Sequence, residues 1–298
     1  MRSNALFVLV CRLGCALLLA PAVAWAQPNP DLHPALWKIS QANTTIWLFG
    51  SVHMLAPNTP WLNGAVADAA DQATELVTET AEPDRKALGA LIEARSTLPP
   101  GDTLAKLLTP DQRFDLGERL ARFGLGPTRF DTNQPWFAAV VLSTLPLLAR
   151  GFSEHDGVEA ALTARMAARG VGRSGIETPA DQIEALAGLP RATQVSYLLN
   201  VIADFDKING QVDGMIAAWG KGDAATLARL MRADAARDDP VMTQRLIQDR
   251  NQRFAAWILA RLRQPGKVLV VIGAMHLAGS QSVIDSLARS GIRVERVQ

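Results

Sequence analysis

The stretch VLVVIGAMHLAGS (residues 268–280) begins with five consecutive apolar residues and continues into a glycine and, three positions later, a histidine. The stretch IWLFGSVHMLAPN (residues 46–58) has the same order. Short apolar runs rich in β-branched and aromatic residues predict buried strands. Of the four histidines in the chain, His53 and His276 therefore each follow a predicted strand in the pattern Gly-x-x-His. This repeated pattern predicts a sheet whose edge carries both histidines.

The rest of the chain divides into short strand-like segments and longer segments with apolar residues at the three-and-four spacing of helices. Strands are predicted at 35–40, 44–52, 74–79, 171–178, 267–274 and 292–297. Helices are predicted at 101–108, 110–124, 135–150 (a buried helix or helix pair), 158–170, 223–237 and 280–291. The fold class is therefore α/β, leaning towards α+β, with a small mixed, mainly parallel central sheet and large helical insertions.

Local signals specify some of the connections. The first two strands flank a three-residue turn and predict a hairpin. The order strand, helix, strand over 267–297 predicts a parallel crossover unit. Thr109-Pro110 and Thr178-Pro179 combine a capping threonine with proline at the first helical position, which predicts helix starts there. Gly50 and Gly273 lie where the chain leaves the sheet, so we expect a left-handed or tightly bent backbone at both.

The first 26 residues have the features of a secretory signal peptide: a positive start, a short apolar stretch and Ala24-x-Ala26 before Gln27. We therefore predict a signal peptide at 1–26 and a single catalytic domain at 27–298, in the periplasm or secreted from a bacterium. Both cysteines, Cys11 and Cys15, fall inside the signal, so any metal would bind to His, Asp, Glu or carbonyl oxygen.

The charge balance indicates which partners to expect. The 30 basic and 29 acidic residues are nearly balanced and form no basic patch, which argues against nucleic acid and anionic membrane surfaces as partners. No stable membrane anchor is expected after signal cleavage, and the oligomeric state does not follow from the sequence.

Four polar residues stand at the ends of predicted strands: His53, Glu79, Glu177 and His276. Because ligands of open α/β sheets bind outside the carboxyl ends of the strands, we expect the four side chains to converge on one crevice. Arg250 and Asn251 lie on a predicted helix, where they form a solvated face, bind a substrate carboxylate or orient a glutamate.

Two imidazoles and two carboxylates are compatible with two kinds of chemistry. They can hold a divalent metal that acidifies a bound water for attack on a carbonyl. Without a metal, one histidine can act as general base, a glutamate can orient it, and the other histidine can act as acid or oxyanion donor. The residue types fit both cases.

Several blocks of the sequence resemble the TraB/GumN family, which is related to the Tiki metalloproteases and to the erythromycin esterase and haem-binding ChaN proteins. The blocks are LFGSVHML (48–55), ELVTET (75–80), QPWFAA (134–139), DGVEAAL (156–162), IETPADQ (176–182), DRNQRFA (249–255) and VVIGAMHLAGSQSVIDSLARSGIRVERV (270–297). They occur in the family's order and cover nearly the whole chain after the signal.

The resemblance implies an active site with His53 and His276 together with Glu79 as the first glutamate and Glu177 as a second. It also implies that Arg250 and Asn251 form a polar pair. The Tiki branch implies a divalent metal, manganese or cobalt first and zinc next, on His53, Glu79 and His276. The esterase branch implies a metal-independent hydrolase with a histidine base. The lack of a C-terminal anchor like that of Tiki proteins argues against a membrane-bound role.

The function predicted from these observations is hydrolysis of a peptide or other amide or ester bond, with Arg250 steadying the substrate. The first alternative is a non-catalytic periplasmic haem or metal carrier, because histidine and carboxylate groups in one crevice also serve binding. The second is a structural accessory to polysaccharide export or conjugation.

Overall fold

The computed structural model describes residues 32–82, 84–235 and 239–298 of the chain; the predicted signal peptide and Gln27 lie outside them. The strands are β1 (Leu36–Gln41), β2 (Thr44–Ser51), β3 (Glu75–Thr80), β4 (Arg173–Glu177), β5 (Gly266–Gly273) and β6 (Glu295–Arg296). They form one six-stranded sheet in the order β4-β3-β5-β2-β1-β6. The predicted α/β class is confirmed.

Most of the sheet is parallel. β2 pairs in parallel with β5, β5 with β3, and β3 with β4. β1 and β2 form the predicted antiparallel hairpin. The crossover predicted after β5 is confirmed in its direction, because β6 runs parallel to β5. The two strands are not neighbours, however: β6 pairs with β1, and β2 and β1 lie between β5 and β6. The connection passes over β2 and β1 because β3 and β2 already occupy both edges of β5.

Helices account for most of the remaining chain. They are α1 (Gly64–Gln72), α2 (Arg85–Ser96), α3 (Pro110–Ala121), α4 (Pro135–Ala149), α5 (Val158–Ala167), α6 (Pro179–Ala187), α7 (Arg191–Asp204), α8 (Ile208–Gly220), α9 (Ala224–Ala235), α10 (Pro240–Thr243), α11 (Asp249–Arg261) and α12 (Val283–Arg289). A π-helical segment, Gln244–Gln248, joins α10 to α11. None of the helices in the described ranges is long and apolar enough to cross a membrane.

The predicted helix starts agree with the structure, since Thr109 and Thr178 each form a capping box at the first turn of α3 and α6. The prediction at 101–108 was wrong in type: the segment forms only a short 3₁₀ turn, Leu104–Leu107. Gly101 has a positive φ of 86° and Thr109 caps the next helix, so both ends of the segment are outside the helical conformation. The few residues between them gain little from helix propagation. The predicted buried helix at 135–150 is α4, with most of its side chains buried.

Apolar helices cover both faces of the sheet. One face packs against α1, α5, α8 and α9 through residues such as Phe49, Leu162 and Trp219. The other face packs against α11 and α12 through residues such as Val270 and Phe254. The helices α2, α3, α4, α6 and α7 form a further apolar cluster of their own. The carboxyl edge of the parallel strands is therefore flanked by α5 on one side and by α11 on the other.

Candidate active site

The two Gly-x-x-His motifs lie side by side, because β2 and β5 are neighbours in parallel register with Gly50 opposite Ile272 and Ser51 opposite Gly273. Of the two backbone conformations expected at these glycines, the left-handed one is wrong, since neither Gly50 nor Gly273 has a positive φ. Both are close-approach positions instead. A Cβ on Gly50 would lie 2.9 Å from the Cα of Ala274, and one on Gly273 would lie 3.1 Å from Oε1 of Glu79.

His53 is held by the helix α5. Its Nδ1 lies 2.7 Å from Oε1 of Glu159, in the first turn of that helix, while its side chain stays 61% exposed. The negative charge of the Glu159 carboxylate, together with its hydrogen bond to the ring, raises the pKa of His53 above its usual value. Burial by itself raises the pKa of Glu159. The charge of His53 and its hydrogen bond lower this pKa by more than burial raises it, so the net shift is downward. This pair is an imidazolium facing a carboxylate.

The backbone around His53 is fixed by contacts with residues 153–158. The amide of Val158 donates to the carbonyl of Val52 at 3.1 Å, and the amide of Ser153 donates to the carbonyl of Leu55 at 3.1 Å. Gly157 passes so close that a Cβ there would lie 2.1 Å from the His53 carbonyl oxygen. These contacts set the position from which His53 reaches Glu159.

His276 is held by the helix α11 and is buried, with 4% of its surface exposed. Its Nδ1 lies 2.7 Å from Oδ1 of Asn251, and the Asn251 amide nitrogen donates to the carbonyl of Gln281 at 2.8 Å. That second bond fixes the amide orientation, so Nδ1 of His276 carries the proton and Nε2 is the acceptor. The ring of Phe254 packs edge-on against it at 5.1 Å.

Burial is the main reason that the pKa of His276 is lowered to about 4; the charges of Arg250 and His53 lower it further, while Glu79 opposes them. At neutral pH His276 is therefore an uncharged imidazole. The same motif thus delivers two histidines in opposite charge states.

Glu79 and Glu177 are buried and share one cation, Arg250. Arg250 bonds to Oε2 of Glu79 through Nη2 at 2.7 Å and to Oε2 of Glu177 through Nε at 3.0 Å. Its Nη1 lies 3.3 Å from Nε2 of His276. Glu177 also accepts from Arg253 at 2.7 Å, and the Arg253 side chain is 50% exposed.

Glu79 is satisfied on all sides. Its Oε1 accepts from the amide of Gly273 at 2.7 Å and its Oε2 accepts from Gln182 at 2.8 Å, in addition to Arg250. Burial alone would raise the pKa of Glu79, but the charges of His53 and Arg250 outweigh it and lower the pKa to about 2. A carboxylate with so many donors and so low a pKa is a weak proton acceptor.

The structure brings five of the six predicted site residues into one bonded network: Glu79, Glu177, Arg250, Asn251 and His276. His53 stands beside this network without a hydrogen bond to it, and its charge acts on both Glu79 and His276. Three partners did not emerge from the sequence: Glu159, Gln182 and Arg253. Glu159 lies in the DGVEAAL block and Gln182 in the IETPADQ block, so the blocks contained these segments without marking the two residues as site partners.

The donor atoms do not fit the predicted metal in this arrangement. Among the described residues, no group of three or more His, Cys, Asp or Glu side chains is placed to hold a metal ion. His53 bonds to Glu159, and the guanidinium of Arg250 lies against both Glu79 and His276. Binding of manganese, cobalt or zinc therefore stays a prediction.

The chain is therefore an α/β protein whose sheet carries two Gly-x-x-His motifs side by side at its carboxyl edge. The model of the TraB/PrgY/gumN family matches residues 35–296, and the chain belongs to this family. The match spans both motifs and confirms the resemblance drawn from the sequence. No curated protein and no solved structure matches the chain.

Proposed function

We propose that the protein is a hydrolase that cleaves a peptide or other amide or ester bond at the crevice between α5 and α11, with His53 as its acid–base group. The observation that carries the proposal is the pairing of His53 with Glu159. The imidazole is anchored through Nδ1, and Nε2 has no hydrogen-bond partner among the described residues. An imidazole oriented by a carboxylate on one nitrogen and open on the other is the arrangement of a general base.

In the proposed reaction, the active form of His53 is the deprotonated one, which becomes populated as the pH rises towards its raised pKa. This neutral ring accepts a proton at Nε2 from a water molecule as the water oxygen bonds to the substrate carbonyl carbon. The bond from that carbon to the leaving nitrogen or oxygen then breaks, and His53 returns the proton to the leaving amine or alcohol. Glu159 keeps the ring in position and stabilises its charged form between the two transfers. Arg250 supplies positive charge beside the reacting carbonyl.

Support for His53 over His276 in this role comes from exposure. Nε2 of His276 is buried and faces a guanidinium at 3.3 Å, so a substrate water reaches it less readily than it reaches His53. We propose that His276 completes the site by holding Arg250. We further propose that the protein acts in the periplasm or outside the cell after removal of residues 1–26.

The test is a screen of fluorogenic peptides and chromogenic esters with the wild type, His53→Ala and His155→Ala. His155 is an exposed histidine on the neighbouring turn Glu154–Asp156 and serves as the matched control. We expect His53→Ala to lose about 10²–10⁴-fold in kcat/KM, the usual contribution of a general base, and His155→Ala to keep wild-type activity. Full activity in His53→Ala would end this proposal. A wild type that cleaves nothing but binds haem with a Soret band would favour the carrier.

A further inference from the structure

We infer that Arg250 is the resident cation of this site and occupies the position that a divalent metal on Glu79 and His276 would need. The inference concerns ion content alone and stands apart from the hydrolase proposal, because its readout is metal binding. Three contacts of one guanidinium carry it.

The first two contacts are with carboxylates. Nη2 of Arg250 lies 2.7 Å from Oε2 of Glu79 and 2.9 Å from Oε2 of Glu177. Both carboxylates are buried, and burying such charges is costly unless a counter-ion compensates them. Arg250 bridges the two and is itself mostly buried. In a metal centre, the metal would perform this neutralisation.

The third contact is with the imidazole. A zinc ion on Nε2 of His276 would lie about 2.1 Å from that nitrogen, and Nη1 of Arg250 is only 3.3 Å away. Since Nε2 already accepts from Nη1 and the tautomer is fixed by Asn251, its single lone pair is in use. A metal can bind there only when the guanidinium leaves. Two positive charges at this separation also repel each other strongly in a buried site.

His53, the third predicted metal ligand, is not available to bind a metal together with Glu79 and His276. It is bonded to Glu159 at 2.7 Å and is held there by the backbone contacts of residues 153–158. The site thus has its own positive charge, fixed to α11.

The experiment replaces the guanidinium and keeps an unbranched side chain: methionine removes the charge, and lysine keeps a positive charge. Purified wild type, Arg250→Met and Arg250→Lys are incubated with an excess of manganese, cobalt or zinc, freed of loose metal, and analysed by mass spectrometry for metal content. We expect the wild type and Arg250→Lys to retain no metal at these ligands. We expect Arg250→Met to retain about one metal per chain and to lose it in the double variant with His276→Ala.

Arg261→Met is the matched control. Arg261 lies on the same helix, has a side chain of similar exposure (9% against 12% for Arg250) and bonds to Glu75 on β3, the strand that carries Glu79. Its loss also removes an ion pair but opens no position beside a histidine, so we expect no gain of metal. If Arg250→Met does not fold, the same measurement is made on Arg250→Gln, which keeps hydrogen-bond donors for the two glutamates.

Two results would overturn the inference. One is near-stoichiometric metal in the wild type that disappears in His276→Ala. The other is an Arg250→Met or Arg250→Gln protein that is folded and still retains no metal, since Arg250 then does not occupy a cation position.

Discussion

The two Gly-x-x-His motifs share a sequence pattern and neighbouring strands, yet they produce opposite histidines. His53 is exposed, paired with the carboxylate of Glu159 and charged. His276 is buried, paired with the amide of Asn251 and neutral. The strands place both rings at the same edge, but α5 and α11 supply the partners that set each charge. The chemistry of the motif is therefore decided by the helix packed beside it.

Glu159→Gln tests that statement with the largest expected effect. The amide keeps a hydrogen-bond acceptor for Nδ1 but loses the charge that raises the pKa of His53. If His53 is the base, it works only when deprotonated, so the alkaline rise of kcat/KM should move to lower pH. At its plateau, kcat/KM should fall about 10²–10³-fold, because the forming imidazolium loses its counter-ion. A pH–rate profile identical to that of the wild type would contradict the pairing.

Glu79→Gln tests how much the buried charge of Glu79, which interacts electrostatically with both histidines, contributes to stability. The pKa of Glu79 is lowered from 4.5 to about 2 in the folded protein, so its charge stabilises the fold fully above about pH 4.5. That contribution is lost as the pH falls towards 2. We expect a loss of roughly 3 kcal/mol in the free energy of unfolding at pH 7, shrinking as the pH falls. Denaturant unfolding across this range measures it.

Glu75→Gln is the matched control, since Glu75 lies on the same strand and pairs with Arg261 but is about half exposed. It should cost about 1 kcal/mol or less. Equal losses of unfolding free energy in the two variants would show that the buried ion pairs of Glu79 stabilise the protein no more than a half-exposed pair does.

Gly157→Ala changes the position of the His53 backbone and leaves its charged partner, Glu159, in place. Alanine suits the local φ of −69°, so the conflict is steric: its Cβ would lie 2.1 Å from the His53 carbonyl oxygen and 3.1 Å from that of Glu154. The loop 52–55 must shift, and we expect destabilisation of about 2 kcal/mol with a fall in kcat. The control, Gly210→Ala, meets open space on α8 and should be neutral or up to about 1 kcal/mol more stable. Thermal unfolding of both variants compares them.

Asn251→Asp should give His276 a carboxylate like that of His53. The pKa of His276 should rise from about 4, although a charged ring would then face Arg250. We expect a loss of stability of about 1–2 kcal/mol. The new ion pair offsets most of the repulsion from Arg250, but a carboxylate cannot donate to the Gln281 carbonyl as the Asn251 amide does. Imidazole chemical shifts followed against pH report the change, and an unshifted His276 would mean that burial alone sets its charge.

The strands and their polar ends were predictable because a buried parallel strand needs an unbroken apolar run, and β5 supplies one from Val268 to Ile272. Their convergence followed from the rule that places ligands at carboxyl ends. The position of β6 was not predictable, since its two paired residues carry almost no pattern and the neighbours of β5 were already taken.

Glu159 was not predicted as a site residue, for a different reason. A glutamate in the first turn of a helix is common, because it complements the helix dipole, and nothing in DGVEAAL marks it as a partner of His53. Only the packing of α5 against the loop after β2 reveals that pairing. Arg250 was recognised as a polar residue of the site, but its position between two carboxylates and a histidine depends on the register of α11 against β3 and β5.

The most direct test of the account is an NMR titration of the wild-type histidines, with signals assigned from His53→Gln and His276→Gln. The account predicts that His53 titrates above its ordinary 6.5 and that His276 stays neutral, with the proton on Nδ1, until the pH nears 4. Two histidines that titrate together near 6.5, or a His276 protonated at neutral pH, would contradict it.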